Sequence, residues 1–193
     1  LLCLTVSGGH TNLVYMPEFA KYVLMGQTRD DAAGEAFDKV ARVLGLGYPG
    51  GPYIDQLAAK GEPQIKLVQT DALANTYDFS FSGIKTAVVN LVNSYRQKGL
   101  PIPQADLAAS FQEYVVSVLA ERTFKAAENL GVEKVILSGG VAANTQLRAR
   151  FNALGNEKKL NIYYPPLALC TDNAAMIAAC GFYRYQRFGP SAL

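Results

Sequence analysis

The chain has 193 residues, half of them hydrophobic, and carries 18 Lys and Arg against 16 Asp and Glu for a net charge of +2. That is apolar material for one well-buried domain, or for one and a piece of another. The charge is too evenly balanced to argue by itself for a nucleic-acid glove or a membrane-surface protein, and no apolar run approaches the ~18 residues of a membrane span.

The first strand is expected at 1 to 6, "LLCLTV", a fully buried pattern with no Met and no polar lead-in, as if cut from something longer. Strands at 11 to 16 and 21 to 27 follow, separated by "SGGH" and "PEFA", the spacing of an antiparallel meander. From Asp30 the period turns helical, with Ala33, Ala36, Phe37, Val40 and Leu44 in register, until "GLGYPGGP" breaks it. A short helix from about Tyr53 to Lys60 and a polar loop come next. A helix starts after Ser82, and the longest helical pattern lies between Pro103 and Gly131. "VEKVILSGG" is a buried strand running into a second Ser-Gly-Gly. A helix over 142 to 154, a strand over 160 to 164 and a helix from about Thr171 to Phe188 complete the order.

This order suits an α/β fold: a mixed five-stranded sheet with helices on both faces, the core of the ribonuclease H-like and actin-like ATPase folds. Both Ser-Gly-Gly turns then sit at strand ends of one sheet, where such folds hold ligands. The cysteines Cys3, Cys170 and Cys180 have apolar neighbours and no CxxC spacing, so they read as reduced core thiols of a cytoplasmic protein.

Three Gly-Gly pairs stand out: Gly8-Gly9, Gly50-Gly51 and Gly139-Gly140. Such pairs let backbone N–H groups converge on phosphate or carboxylate oxygens, although plain turns explain most of them. In "DDAAGEAFDK", a helix from Asp30 would put Asp31, Glu35 and Asp38 on one face, repelling by about 0.2–0.5 kcal/mol per pair, with Lys39 and Arg42 as partial compensation. Gly34 inside that helix costs about 1 kcal/mol relative to Ala and permits close approach. Such a carboxylate suits a ribose diol; alternatively the face is merely solvated, with Asp30 or Asp31 as N-cap. Asp172 heads the last helix as an N-cap or a metal ligand. Asn144, beside the second glycine pair, is a surface residue or an amide that reads a base or ribose. His10 is the single histidine, so the chain cannot by itself furnish a usual transition-metal site.

"SGGHT", "DDAAGEAFDK", "YPGGP", "FSFSGIKTA", "SGGVAAN" and "CTDNAAMIA" resemble, in order and spacing across essentially the whole chain, the tRNA N6-adenosine threonylcarbamoyltransferases. The resemblance implies transfer of a threonylcarbamoyl group from threonylcarbamoyl-adenylate to N6 of adenosine 37 in tRNAs reading codons that start with A. It implies that Thr5, Val6, Ser7, Gly8 and Gly9 meet the phosphate and acyl end of the adenylate, with ATP as the alternative bound nucleotide. Asp38 and Gly51 would hold its ribose and adenine region, and Asn144 would complete the pocket. Asp172 would be one ligand of a divalent metal, iron or zinc, whose other ligands in the family are a His-x-x-x-His pair ahead of the first glycine pair. That pair is missing here. Residues 1–170 would form the second lobe of the actin-like fold, and 171–193 a closing helix whose apolar face packs on the absent first lobe, leaving the fragment inactive alone. tRNA, the adenylate and helper subunits are the implied partners, with no membrane. The competing readings are a non-catalytic nucleotide-binding partner subunit of the same fold, a small-molecule kinase, and a metallopeptidase, for which no H-E-x-x-H helix exists. The role of Lys85 in "FSFSGIK" stays open between a phosphate, the RNA and a neighbouring acid.

Overall fold

In the computed structural model, residues 1–67, 73 and 75–190 are described. Strands β1 (Leu2–Val6), β2 (Thr11–Tyr15) and β3 (Val23–Gln27) form the expected antiparallel meander. With β4 (Lys134–Ser138) and β5 (Asn161–Tyr163) they build a mixed five-stranded sheet of order β3-β2-β1-β4-β5. The pairs β1–β4 and β4–β5 are parallel. Because side chains alternate across a strand, Leu2, Leu4 and Val6 all face one way and are fully buried, with Leu4 opposite Leu13 on one side and Leu137 on the other. Each such Leu contributes roughly 1.5–3 kcal/mol. Cys3, Thr5, Val14, Ile136 and Ser138, on the opposite face, are only half-buried.

Four helices follow the meander, α1 (Ala33–Val43), α2 (Gly50–Ala58), α3 (Ser82–Gln97) and α4 (Gln104–Leu130), and α5 (Thr145–Lys158) comes after β4. Their apolar faces join the buried face of the sheet in one core. α4 is the pillar, buried at Leu107, Phe111, Val115, Leu119 and Phe124 along its length. Phe111 meets Phe37 of α1 edge-on, ring centroids 5.1 Å apart. Its left-handed C-terminal residue is Gly131, at φ 62°. The polar loop expected after α2 falls partly on residues 68–72 and 74, outside the described residues.

α1 starts at Ala33, later than the periodicity from Asp30 suggests, because its leading acids are claimed by other elements. Asp30 caps α3 instead: its carboxylate accepts the Phe81 and Ser82 amides (2.8 and 3.2 Å) and the Ser80 and Ser82 hydroxyls (2.5 and 2.7 Å). Asp31 lies before the helix, where Lys39 (2.8 Å) and Lys85 (2.7 Å) neutralise it. Lys39 also reaches Glu35 at 2.7 Å, so the repelling face of three carboxylates expected from the sequence is not formed. These hydrogen bonds, to Asp31 first and Glu35 second, raise the pKa of the Lys39 ammonium. Lys85 is thus paired with an acid.

Partial burial pushes the Asp30 pKa up, but the bonds from Ser80, Ser82 and the two amides outweigh it and hold it below the ordinary value. Asp78 behaves alike: burial opposes, while the Gln27 amide and the Arg29 guanidinium win. A depressed carboxyl pKa contributes stability above the unfolded value, near 4, that is lost as pH falls through the folded value. Denaturation midpoints should therefore be level down to about pH 5 and fall below about pH 4. Asp30→Asn should flatten part of that fall, and an unchanged acid limb in the variant would contradict this role.

The helix expected at 142 begins at Thr145, after a single 3-10 turn over Gly140–Ala143, because Asn144 is its N-cap and accepts the Leu147 amide at 2.9 Å. The last helix, α6 (Ala174–Phe188), is capped by Asn173, which accepts the Met176 amide at 3.0 Å. Asp172 is therefore not its N-cap. No residue of α6 is buried: Ile177, Phe182, Tyr185 and Phe188 are all more than half exposed. It touches the meander through Tyr183 on Phe19, ring centroids 5.4 Å apart, and through Arg187 on the Phe19 carbonyl. Of the three cysteines, Cys170 is buried and Cys3 half-buried, whereas Cys180 is exposed on α6 and is no core thiol. Among the described residues no helix is long and apolar enough to cross a membrane.

Candidate functional site

The β1–β2 turn, Ser7 to His10, is the hub of the candidate site. Ser7 accepts the His10 amide at 3.1 Å and the Gly9 amide at 3.4 Å on its hydroxyl, and its own amide donates to the His10 carbonyl at 2.8 Å. The start of α1 docks directly on this turn. A helix begins with amides that lack intrahelical partners, and here they are met from outside: Ala33 N–H donates to Thr11 Oγ1 (2.9 Å) and Gly34 N–H to the Ser7 carbonyl (3.1 Å). A Cβ on Gly34 would lie 2.6 Å from that carbonyl oxygen.

From α1 the contacts pass to α2. Asp38 Oδ1 accepts the Gly50 amide at 2.7 Å, and a Cβ on Gly50 would lie 2.7 Å from Asp38 Cα. Gly51 is thus the next residue after the glycine that Asp38 holds. One helical turn beyond Gly51, Asp55 reaches the start of α5. Its Oδ1 accepts Gln112 Nε2 (3.0 Å), Asn144 Nδ2 (3.2 Å) and Thr145 Oγ1 (2.9 Å), and its Oδ2 accepts the Thr145 amide (3.1 Å). Asn144 donates in addition to Gln112 Oε1 at 2.8 Å. It is buried, so of the two roles open in the sequence the surface one is excluded. A cleft of about 300 Å³, lined by Asp55, Gln112, Thr145 and Gln146, opens beside this knot.

The β4 turn closes the circuit. Gly139 has φ 90° and ψ 168°, and a Cβ there would meet the Val6 carbonyl oxygen at 2.3 Å. On the open face of the sheet, Thr5 Oγ1 and Ser138 Oγ are 3.0 Å apart. Contacts thus run from Ser7 through Gly34, Asp38, Gly50, Asp55 and Asn144 to Gly139 and back to Val6. Thr5, Val6, Ser7, Gly8, Gly9, Asp38, Gly51 and Asn144, which are scattered along the sequence, belong to this one circuit or flank it directly. The sequence reading missed Asp55. Its only signal was its place four residues after Gly51, hence on the same face of a helix.

Six glycines of this circuit divide into two kinds. Gly34, Gly50 and Gly139 are bare because backbone packs against them. Gly8, Gly9 and Gly51 have nothing within 4 Å of where a Cβ would stand, and none has a positive φ.

Asp172 is exposed, and its neighbour Thr171 has Cγ2 3.9 Å from where a Gly140 Cβ would stand. Among the described residues no three His, Cys, Asp or Glu side chains gather as a metal site. These residues do not by themselves fit a metal ion.

The family model for tRNA N6-adenosine threonylcarbamoyltransferase matches residues 2–179. The Bacillus cereus (strain ATCC 10987) protein of that name is 54% identical over 188 residues, 97% of this chain and 55% of the relative. Those of Synechococcus sp. (strain JA-3-3Ab) and Clostridium kluyveri are 53% and 49% identical, with 52% and 57% of the relative covered. The chain spans about half the length of these curated relatives. Among solved structures, full-length HypF in a phosphate- and nucleotide-bound form superposes with a TM-score of 0.58 at 17% identity, over 83% of this chain and 21% of that one. HypF of T. kodakarensis gives a TM-score of 0.56 at 18% identity. These two similarities concern the fold, and they agree with the ribonuclease H-like, actin-like sheet. With its family's model matched from the first strand into the last helix, the chain belongs to the tRNA N6-adenosine threonylcarbamoyltransferases.

Proposed function

We propose that the full-length protein transfers a threonylcarbamoyl group from threonylcarbamoyl-adenylate to N6 of adenosine 37 in tRNAs reading ANN codons, and that this chain holds the adenylate. The observation that carries this reading is the emptiness at Gly8, Gly9 and Gly51. Neither backbone conformation nor packing requires glycine there; Gly83 and Gly181 are equally uncrowded, and what sets Gly8, Gly9 and Gly51 apart is their place on the circuit of turns, where bare backbone lets a ligand approach closely. The β1 turn, with Thr5 to Gly9, meets the phosphate and acyl end, where backbone amides balance the charge of the departing phosphate. Asp38 and Gly51 take the ribose and adenine side. Asn144, whose amide is engaged by Asp55, Gln112 and Leu147, acts by fixing the start of α5 around the pocket.

In the transfer, the adenine amine attacks the carbamoyl carbonyl carbon and a C–N bond forms. The bond from that carbon to the phosphate oxygen breaks, AMP departs, and the amine loses a proton to solvent. As the family resemblance implies, Asp172 would supply one carboxylate to an iron or zinc ion, which would polarise the carbamoyl carbonyl; its remaining ligands would have to come from other residues. Helper subunits and the enzyme that makes the adenylate complete the reaction.

Gly8→Val in the full-length protein tests the reading. The added Cβ has nothing within 4 Å in the fold, so the melting temperature should match the parent's while affinity for ATP or the adenylate drops at least tenfold, about 1.4 kcal/mol. Unchanged affinity would remove the β1 turn from the site. Formation of modified nucleoside in tRNA, followed by mass spectrometry, tests the transfer, and phosphorylation of a small molecule without tRNA would replace it with a kinase.

A further inference from the structure

We propose that Arg148 is a positioning residue: its guanidinium clamps the Tyr164–Asp172 segment to the Gly140–Ala143 turn, presenting Asp172 beside the second Ser-Gly-Gly. This rests on the reading above in which Asp172 takes part in the transfer.

Arg148 lies in the second turn of α5, next to the helix N-terminus, where a cation is disfavoured by the helix dipole. Its place is therefore not explained by the helix itself. Its side chain turns away to bind two other segments at once. Nε donates to the Ala142 carbonyl at 2.6 Å, and Nη2 donates to the Pro165 carbonyl at 3.0 Å and to Cys170 Sγ at 3.2 Å. The guanidinium carbon stands 4.4 Å from the Tyr164 ring centroid. Ala142 belongs to the turn whose Gly139 rests on β1, while Cys170 is buried and is two residues from Asp172. Beyond it, Asn173 ties the same loop together through the Leu169 and Thr171 carbonyls (3.3 and 2.9 Å). Together with the β4–β5 pairing and the Thr171 approach to Gly140, Arg148 ties the segment that carries Asp172 to the β4 turn.

The planar fork is essential, because Nε and Nη2 serve carbonyls of two different segments and the flat face stacks on a ring. A lysine keeps the charge and loses that geometry. Arg148→Lys and Arg148→Met are to be made in the full-length protein. Both should bind ATP or the adenylate within about threefold of the parent, while kcat for transfer falls roughly 10–100-fold, the cost of a misplaced group near reacting atoms. Hydrogen exchange over 165–173 should quicken in both, with exchange in α4 unchanged. Parent-like kcat and exchange in Arg148→Lys would overturn the clamp, as would equal loss of nucleotide affinity and of α4 protection, which would make Arg148 a general strut. Asp172→Ala separates this idea from the reading it rests on. Intact transfer in that variant would refute the role of Asp172, and the exchange over 165–173 would still decide whether Arg148 clamps it.

Discussion

Gly139→Ala should destabilise the fold by about 3–5 kcal/mol, as measured by denaturant unfolding, and abolish nucleotide binding in whatever still folds. Two effects add. The backbone at φ 90°, ψ 168° lies in a region open essentially to glycine alone, costing about 1–3 kcal/mol for any side chain. The new methyl would also stand 2.3 Å from the Val6 carbonyl oxygen and 2.8 Å from its carbon, and neither can yield without moving β1. Since Val6 leads straight into Ser7, the shift reaches the β1 turn. A variant with parent-like stability would mean that the β4 turn does not rest on β1 as described. Gly140→Ala is the natural control, for its methyl would meet only Thr171 Cγ2 at an ordinary 3.9 Å.

Asp55→Asn should cost about 2–4 kcal/mol and loosen the start of α5, although the change is nearly isosteric. Every partner of the Asp55 carboxylate named above is a donor: Gln112, Asn144, and the Thr145 amide and hydroxyl. Asparagine would turn an NH2 group toward at least one of them and leave it unpaired, and both Gln112 and Asn144 are buried. Circular dichroism melts would show the loss of stability, and faster exchange at Thr145–Leu147 would locate it. If only nucleotide affinity fell while stability and exchange held, Asp55 would be a ligand-binding group with no share in the scaffold.

The two variants probe the same design from opposite ends. One removes a bare backbone contact and the other a charged side chain, yet each is expected to disturb the circuit that joins the β1 turn, α1, α2, α5 and the β4 turn. An enzyme that holds an adenylate needs such rigidity, since a displacement of 1 Å near the reacting atoms costs about 10²-fold in rate.

Much of the fold was legible in the sequence. Alternation in "LCLTV" and the β-branched runs around "SGGH" and "PEFA" determined the meander, because period two with a buried parity has few other solutions. The helical periods of α1, α3 and α4, together with Pro103 and Gly131 at the ends of α4, determined the helices to within a few residues. The ordered motifs from "SGGHT" to "CTDNAAMIA" determined the family.

What only the tertiary structure decided were the partnerships of polar groups, which depend on distance in space and leave no period in the chain. Asp30 reads as the cap of its own helix and in fact caps α3, about fifty residues on, because Ser80 to Ser82 bring two hydroxyls and two amides to it. Asp31, Glu35 and Asp38 read as one repelling face. Folding assigns the first two to Lys39 and Lys85 and the third to the Gly50 amide. The glycine pairs looked alike in sequence; only packing separates Gly139, crowded by Val6, from Gly8 and Gly9, which the fold leaves bare. Asp55 and Arg148 carried no motif at all, because each acts through carbonyls, amides and side chains that come together only when α2, α5 and the last loop converge.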